Sequence, residues 1–148
     1  MKTRGQDRRR AVICLTNTVI PLIAGLTVYL LFRPDAYIAQ KIYSVIHVSP
    51  LRIEIRGWTG EIIRNHLADI MWAYAFMSFL GLILSENRKE RLLSLIIVSV
   101  QIVLTEVCQK TGMIPGTFDI LDIIFEILAA CLAMLFINRN GGRNEKTY

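Results

Sequence analysis

Cysteine and histidine are scarce in this chain of 148 residues, which has three cysteines and two histidines. Cys14, Cys108 and Cys131 are widely spaced, and no CxxC pair occurs. A disulfide framework and a dithiol redox centre are therefore not predicted. The sequence also lacks internal repeats and any nucleophile–base motif of diagnostic spacing. We predict no cofactor and no metal site, although the aspartates and glutamates of the chain offer the oxygen ligands that hard cations prefer.

Charge is missing from long stretches of the sequence. Hydrophobic residues make up 53% of the chain, and they collect in four segments at about 12–32, 67–84, 92–109 and 118–137. A membrane-spanning helix needs roughly 20 predominantly apolar residues. The chain has room for one such unit only. We therefore predict an all-α integral membrane bundle of four transmembrane helices, forming a single membrane domain over residues 1–148.

Lysine and arginine are unevenly distributed around these segments. Eleven of them lie with the two termini and the 85–91 loop, and six lie in the 33–66 loop and the turn after residue 109. Positively charged loops stay in the cytoplasm, so both termini are predicted to be cytoplasmic. The net charge of +5 is then a topology signal, and no nucleic-acid partner is expected.

The outer loop, residues 33–66, has structure of its own. Its first part has apolar residues at helical spacing, which predicts a short interfacial helix: Tyr37, Ile38, Ile42, Val45 and Ile46. The stretch LRIEIR that follows alternates as a strand does but has no evident partner strand. The whole loop is either a connector along the interface or a lid over a substrate.

Carboxylates interrupt the apolar segments only on the predicted outer side. They are Asp69, Glu106, Asp119, Asp122 and Glu126. At about 100° per residue, the last three form one stripe on the fourth helix, with Thr117 as its predicted N-cap. Gln109 shares a face with Glu106. We predict an outward-facing ligand-binding pocket formed by these six polar residues, with Arg56, Arg64 and His66 at its rim.

Two other interpretations of the acidic residues stay open. Ionisable groups within spans are costly and commonly functional, but polar groups also join membrane helices through hydrogen bonds. The carboxylates can therefore be structural, or they can line a path for a cation or a proton.

The residues from 65 to 137 resemble the VanZ-like family of small bacterial membrane proteins. The resemblance lies in TEVCQKTGMIPGTFDILDIIFEILAA and in ADIMWAY. Glu106 and Gln109 match the family's E-x-x-Q at a helix end, and Asp69 and Asp122 match aspartates that open two helices. The chain has Glu126 where the family pattern usually has asparagine, and Ala73 where histidine is often found. The founding member of the family is associated with resistance to the glycopeptide antibiotic teicoplanin.

The resemblance implies a bacterial cytoplasmic-membrane protein with a role in the cell envelope, and it supplies no catalytic mechanism. The expected function is non-covalent binding of an envelope component, either a lipid-linked precursor or a cationic compound. Membrane lipids and a partner membrane protein are the other expected contacts. The alternatives are an intramembrane hydrolase or transferase acting on a lipid phosphate, and an accessory subunit of a membrane complex.

Overall fold

Helices dominate the chain in a computed structural model, which describes residues 8, 12–13, 15–84 and 88–141. Five helices lie in these ranges: α1 (Leu15–Phe32), α2 (Tyr37–Ile46), α3 (Trp58–Leu84), α4 (Arg88–Lys110) and α5 (Ile120–Gly141). Two of them contain a π-helical turn, at Leu15–Val19 in α1 and at Ile63–Leu67 in α3. No strand occurs in the described ranges, which confirms the predicted all-α class for them.

Four of these helices are long and apolar enough to cross a membrane. The candidate spans are Leu15–Phe32, Trp58–Leu84, Lys89–Lys110 and Ile120–Ile137. Large apolar side chains point outward along them, and Ile23, Ile83 and Leu132 are each more than half exposed. A soluble monomer rarely exposes so much contiguous apolar surface, whereas lipid covers it without cost. The prediction of four spans is thereby confirmed in helix number, length and composition.

The third helix, α3, begins earlier than the hydropathy pattern predicts. It starts at Trp58, whereas the predicted span starts at Leu67. Its first turns contain Glu61 and Arg64, which lower the local hydropathy but are good helix formers. The segment between the first two spans therefore ends before Trp58, and the π-helical turn lies within a continuous helix.

The alternating stretch at 51–56 forms no strand. A strand needs a partner for its backbone groups, and the only described backbone bond of this stretch runs from the Ile53 N–H to the Leu31 carbonyl, at 3.1 Å. Arg52 forms an exposed ion pair with Asp35, at 3.3 Å. The stretch is therefore a connector that is hydrogen-bonded to the end of α1.

The short helix predicted in the loop is present as α2. Ala39 and Tyr43 are its buried residues, and the Tyr43 hydroxyl donates to the Leu30 carbonyl at 3.1 Å. The predicted apolar residues Tyr37 and Val45 point away from the other helices, with 59% and 76% of their surface exposed. The helix is therefore attached to the end of α1 and leaves an apolar surface uncovered.

The core lies between α3, α4 and α5. It contains Ala73 and Met77 from α3, Val98 and Ile102 from α4, and three alanines from α5, at 129, 130 and 133. Small residues let membrane helices approach closely, which increases dispersion contacts where no hydrophobic effect operates. The first helix packs along α3, where Gly25 lies against Trp72 and the rings of Tyr29 and Trp72 are 5.7 Å apart.

One end of the bundle brings the five predicted carboxylates together, and we name it the polar end. The end of α4 meets the beginnings of α3 and α5 there, as contacts between Glu106 and Asp119 and between His66 and Asp122 show. Most of the basic leader and of the polar tail, on which the predicted orientation partly depends, lies outside the described residues.

Candidate functional site at the polar end

The turn from α4 to α5 is fixed by a buried carboxylate. Glu106 is only 3% exposed, and its Oε2 accepts a hydrogen bond of 2.9 Å from the Asp119 backbone N–H. With the Gln109 amide oriented to suit its neighbours, the amide nitrogen donates to Glu106 Oε1 at 3.2 Å and to the Thr117 carbonyl at 3.0 Å. Glu106 and Gln109 do share a face, and both are engaged in holding the turn.

Asp119 lies outside α5 and caps it. The helix begins at Ile120, and Asp119 Oδ1 accepts from the Leu121 backbone N–H at 2.8 Å. The predicted stripe of three carboxylates on one helix is therefore wrong in its first member, and the predicted cap Thr117 is replaced by Asp119. An aspartate side chain satisfies the free N–H groups of a first turn, so it folds back onto the helix end.

His66 and Asp122 join α3 to α5. His66 is 6% exposed, and its Nδ1 lies 2.5 Å from Asp122 Oδ1. The imidazole also packs on Phe125, with ring centroids 5.2 Å apart. His66 belongs to the π-helical turn of α3, a feature that is frequent at functional sites. The predicted rim residue thus lies inside the bundle, and it is paired there.

Asp69 and Glu126 are the two half-buried carboxylates of the polar end that stay open. They lie within electrostatic range of each other and of Asp122 and Glu106. Neither carboxyl group forms a hydrogen bond with another described residue. Like charges close together in an apolar bundle are unfavourable, and either protonation of a carboxyl group or a cationic partner between the two relieves the repulsion. The structure thus separates an engaged set of acidic residues from an open pair.

Arg33 is a cation whose charge acts on Asp69 of this pair, and the sequence pattern did not single it out. Its charge acts on Asp69, and its guanidinium lies 5.9 Å from the centre of the Tyr29 ring. Arg33 is the first charged residue after the uncharged stretch that forms α1, which is the only signal in the sequence. Its approach to Asp69 follows from the packing of α1 along α3.

The other predicted cations are not brought to the cluster. Arg56 and Arg64 are exposed, and neither forms an ion pair with an acidic residue in the described part of the chain. The Arg64 Nε reaches only Asn65 Oδ1, at 3.5 Å, which is long for a hydrogen bond. Arg56 and Arg64 therefore lie at the surface, whereas the charge of Arg33 acts on Asp69.

His66 and two of the engaged carboxylates, Asp119 and Asp122, can offer ligands to a metal ion. One ligand atom each from His66, Asp119 and Asp122 lies within 4.8 Å of the other two. Carboxylate and imidazole ligands suit Mg²⁺, Mn²⁺ or Zn²⁺. His66 already binds Asp122, and Asp119 already caps α5, so an ion would have to replace or share these hydrogen bonds.

No similarity to a known protein assigns a role to this site. Comparisons with models of known families, with curated proteins and with solved structures gave no significant match. The fold and the site define a class, a small multi-pass helical protein with an open carboxylate pair and an arginine at one end of its bundle.

Gly116 provides a sharp test of the turn at this end. It has a positive φ of 146°, and an added Cβ would lie 2.6 Å from Gln109 Cδ. We expect Gly116→Ala to displace Gln109 and to destabilise the protein by about 2 kcal/mol, from backbone strain and overpacking together. Gly112→Ala is the matched control, because Gly112 has a φ of 72° but open space around its Cβ. Thermal unfolding in detergent checks this, and equal losses in the two variants would contradict the role given to Gln109.

Proposed function

We propose that this chain is a VanZ-like protein of the bacterial cytoplasmic membrane that binds an envelope component at its polar end. The binding is non-covalent, and the polar end faces outward with both termini in the cytoplasm. In this proposal α2 lies at the membrane interface, and its uncovered apolar residues Tyr37 and Val45 contact lipid. A contribution to glycopeptide resistance belongs to the same proposal, through the family resemblance.

The open carboxylate pair is the observation that carries this proposal. Asp69 and Glu126 have no hydrogen-bonding partner within the described chain, while the neighbouring Glu106, Asp119 and Asp122 are engaged. Hydrogen bonds between helices therefore explain the engaged set but not the open pair. A positively charged group placed between the two carboxylates would stabilise them.

Arg33 narrows the chemistry of the ligand. Its guanidinium, at the end of α1, acts on Asp69, which is one member of the open pair. Guanidinium groups bind phosphates in bidentate fashion. A ligand with an amine and a phosphate satisfies both sides of the site, as a lipid-linked envelope precursor with a free amino group does. A purely cationic compound would use the carboxylates alone.

The test is a binding titration with the full chain in nanodiscs. The probe is a polyprenyl-diphosphate-linked saccharide–peptide that carries a primary amine. We expect the double variant Asp69→Asn/Glu126→Gln to bind it at least about tenfold more weakly, which corresponds to about 1.4 kcal/mol. The double variant Asp35→Asn/Glu54→Gln is the matched control, because these carboxylates are exposed and pair only with Arg52 among the described residues. Unchanged affinity in the first variant would refute the proposal.

A hydrolase or transferase acting on a lipid phosphate is the second candidate. The observation in its favour is the group of His66, Asp119 and Asp122, which can hold a divalent ion close to the open pair. The same nanodiscs decide between the two functions. Release of phosphate from the lipid that requires Mn²⁺ or Mg²⁺ and is lost in His66→Ala supports the enzyme, whereas binding without turnover supports the first proposal.

A further inference from the structure

A shallow apolar groove runs along the side of α4, away from the acidic residues of the polar end. It has a volume of about 410 Å³, and Ile97, Val100, Leu104 and Cys108 are among its lining residues. None of the five acidic residues of the polar end lines it. The apolar side chains of the groove are exposed, with Val100 at 52% and Leu104 at 56%. The groove therefore belongs to the outer surface of the bundle.

The groove follows a heptad seam. Ile97, Gln101, Leu104 and Cys108 all line it, and they are separated by steps of four, three and four residues. This alternation keeps one face of a helix toward a partner helix in a left-handed pair, where side chains interlock as knobs in holes. The exposed face of α4 thus has the spacing of a helix-pairing surface over about three turns.

Gln101 is a polar residue in the middle of this apolar seam. It is exposed, and its amide nitrogen donates to Thr105 Oγ1 at 3.1 Å. The Thr105 hydroxyl in turn donates to the Gln101 backbone carbonyl at 3.0 Å. Within the described residues the side-chain oxygen of Gln101 accepts no hydrogen bond. An amide left facing lipid gains by pairing with another polar group across a helix interface.

We infer that the α4 groove is the interface of a parallel, two-fold symmetric dimer of this chain. All copies of a membrane protein insert in one orientation, so a two-fold axis between them runs along the membrane normal. Each residue on α4 then meets its own counterpart at the same depth. Such a contact requires a self-complementary side chain at its polar position. The Gln101 amide meets this requirement, because it has both a donor and an acceptor.

Gln101 suits a second copy of this chain as the partner, because its amide can pair with itself across a two-fold axis. A single asparagine at a core position of a coiled coil fixes the register of two parallel helices, and the Gln101 amide has the same donor and acceptor groups. A lysine or a carboxylate at position 101 would repel its counterpart instead. The inference does not depend on the function proposed for the polar end, because the groove and the open carboxylate pair share no residue.

Cys108 makes the interface testable in the full chain. It is a free, partly exposed cysteine at one end of the seam. In a background with Cys14→Ala and Cys131→Ala, mild oxidation in native membranes is expected to give a disulfide-linked dimer through Cys108. We expect Gln101→Leu to lower the cross-linked fraction at least fivefold and Gln101→Asn to retain most of it. The matched control is Cys108→Ala combined with Leu132→Cys, since Leu132 is 62% exposed on α5 and lies outside the groove.

Energy transfer between labelled copies in liposomes provides a second measurement that does not depend on disulfide geometry. The expected result is a dimer that dissociates on lipid dilution, with a dissociation constant that Gln101→Leu raises at least about fivefold. A monomer at every dilution would show that lipid alone fills the groove, and this would overturn the inference. Equal cross-linking through residues 108 and 132, or Gln101→Leu without effect in both measurements, would overturn it as well.

Discussion

Glu106→Ala is expected to destabilise the protein by about 3 kcal/mol. The carboxylate accepts hydrogen bonds from the Asp119 N–H and from the Gln109 amide, and it is 3% exposed. Each of these bonds is worth about 1 kcal/mol, and a buried N–H left without an acceptor costs about 1 to 3 kcal/mol more. The loss of the turn also frees the first residues of α5, whose cap Asp119 is held by the same contact.

The measurement is unfolding in detergent or by steric trapping in bicelles, with Glu106→Gln as the matched control. Glutamine keeps one oxygen that can accept from the Asp119 N–H, so the loss in that variant should be about 1 kcal/mol. If alanine and glutamine are equally tolerated, the carboxylate does not hold the turn. It would then be free for ligand binding like Asp69 and Glu126.

His66→Ala is the second large effect, with an expected loss of about 2 to 3 kcal/mol. The variant removes the bond to Asp122 at 2.5 Å and the packing of the imidazole on Phe125. The hydrogen bond alone accounts for about 1 kcal/mol in a membrane, and the cavity beside Phe125 adds a similar amount. The alanine variant also leaves the Asp122 side chain, which is 15% exposed, without its hydrogen-bonding partner His66.

A double-mutant cycle with Asp122→Asn measures the bond itself. We expect a coupling energy of about 1 kcal/mol, so that the double variant is less destabilised than the sum of the single variants. Strictly additive losses would show that His66 and Asp122 act independently. A chelator identifies a bound metal: a lower unfolding temperature for the wild type with EDTA, and no such change in His66→Ala, would show that an ion lies on these residues.

The sequence pattern predicts which acidic residues lie together at the polar end. The alternation of four apolar segments along the chain necessarily returns Asp69, Glu106 and Asp122 to the same end, and hydropathy reveals this without coordinates. The E-x-x-Q pair on one face of α4 follows from helix geometry in the same way. The predicted carboxylates and Gln109 therefore do meet, because helix spacing and span direction are local properties of the chain.

The contacts that each of these side chains forms could not be predicted from hydropathy and helix spacing. Asp119 caps α5 because the helix begins one residue later, and helix ends are poorly defined by hydropathy. His66 lies inside the bundle because α3 extends back to Trp58 through a π-helical turn, which has no signature in composition. The charge of Arg33 acts on Asp69 because α1 packs along α3, and the sequence pattern does not specify which helices pack together.

The sequence by itself thus determined the class of the molecule, the four candidate spans and the end at which their carboxylates gather. These features depend on hydropathy and on the period of the helix, which each segment has independently of its neighbours. Only the tertiary structure decided that Glu106, Asp119 and Asp122 are engaged and that Asp69 and Glu126 are open. The physical reason is that a few tenths of an ångström in the donor–acceptor distance decide whether a hydrogen bond forms. The packing of the helices sets those distances.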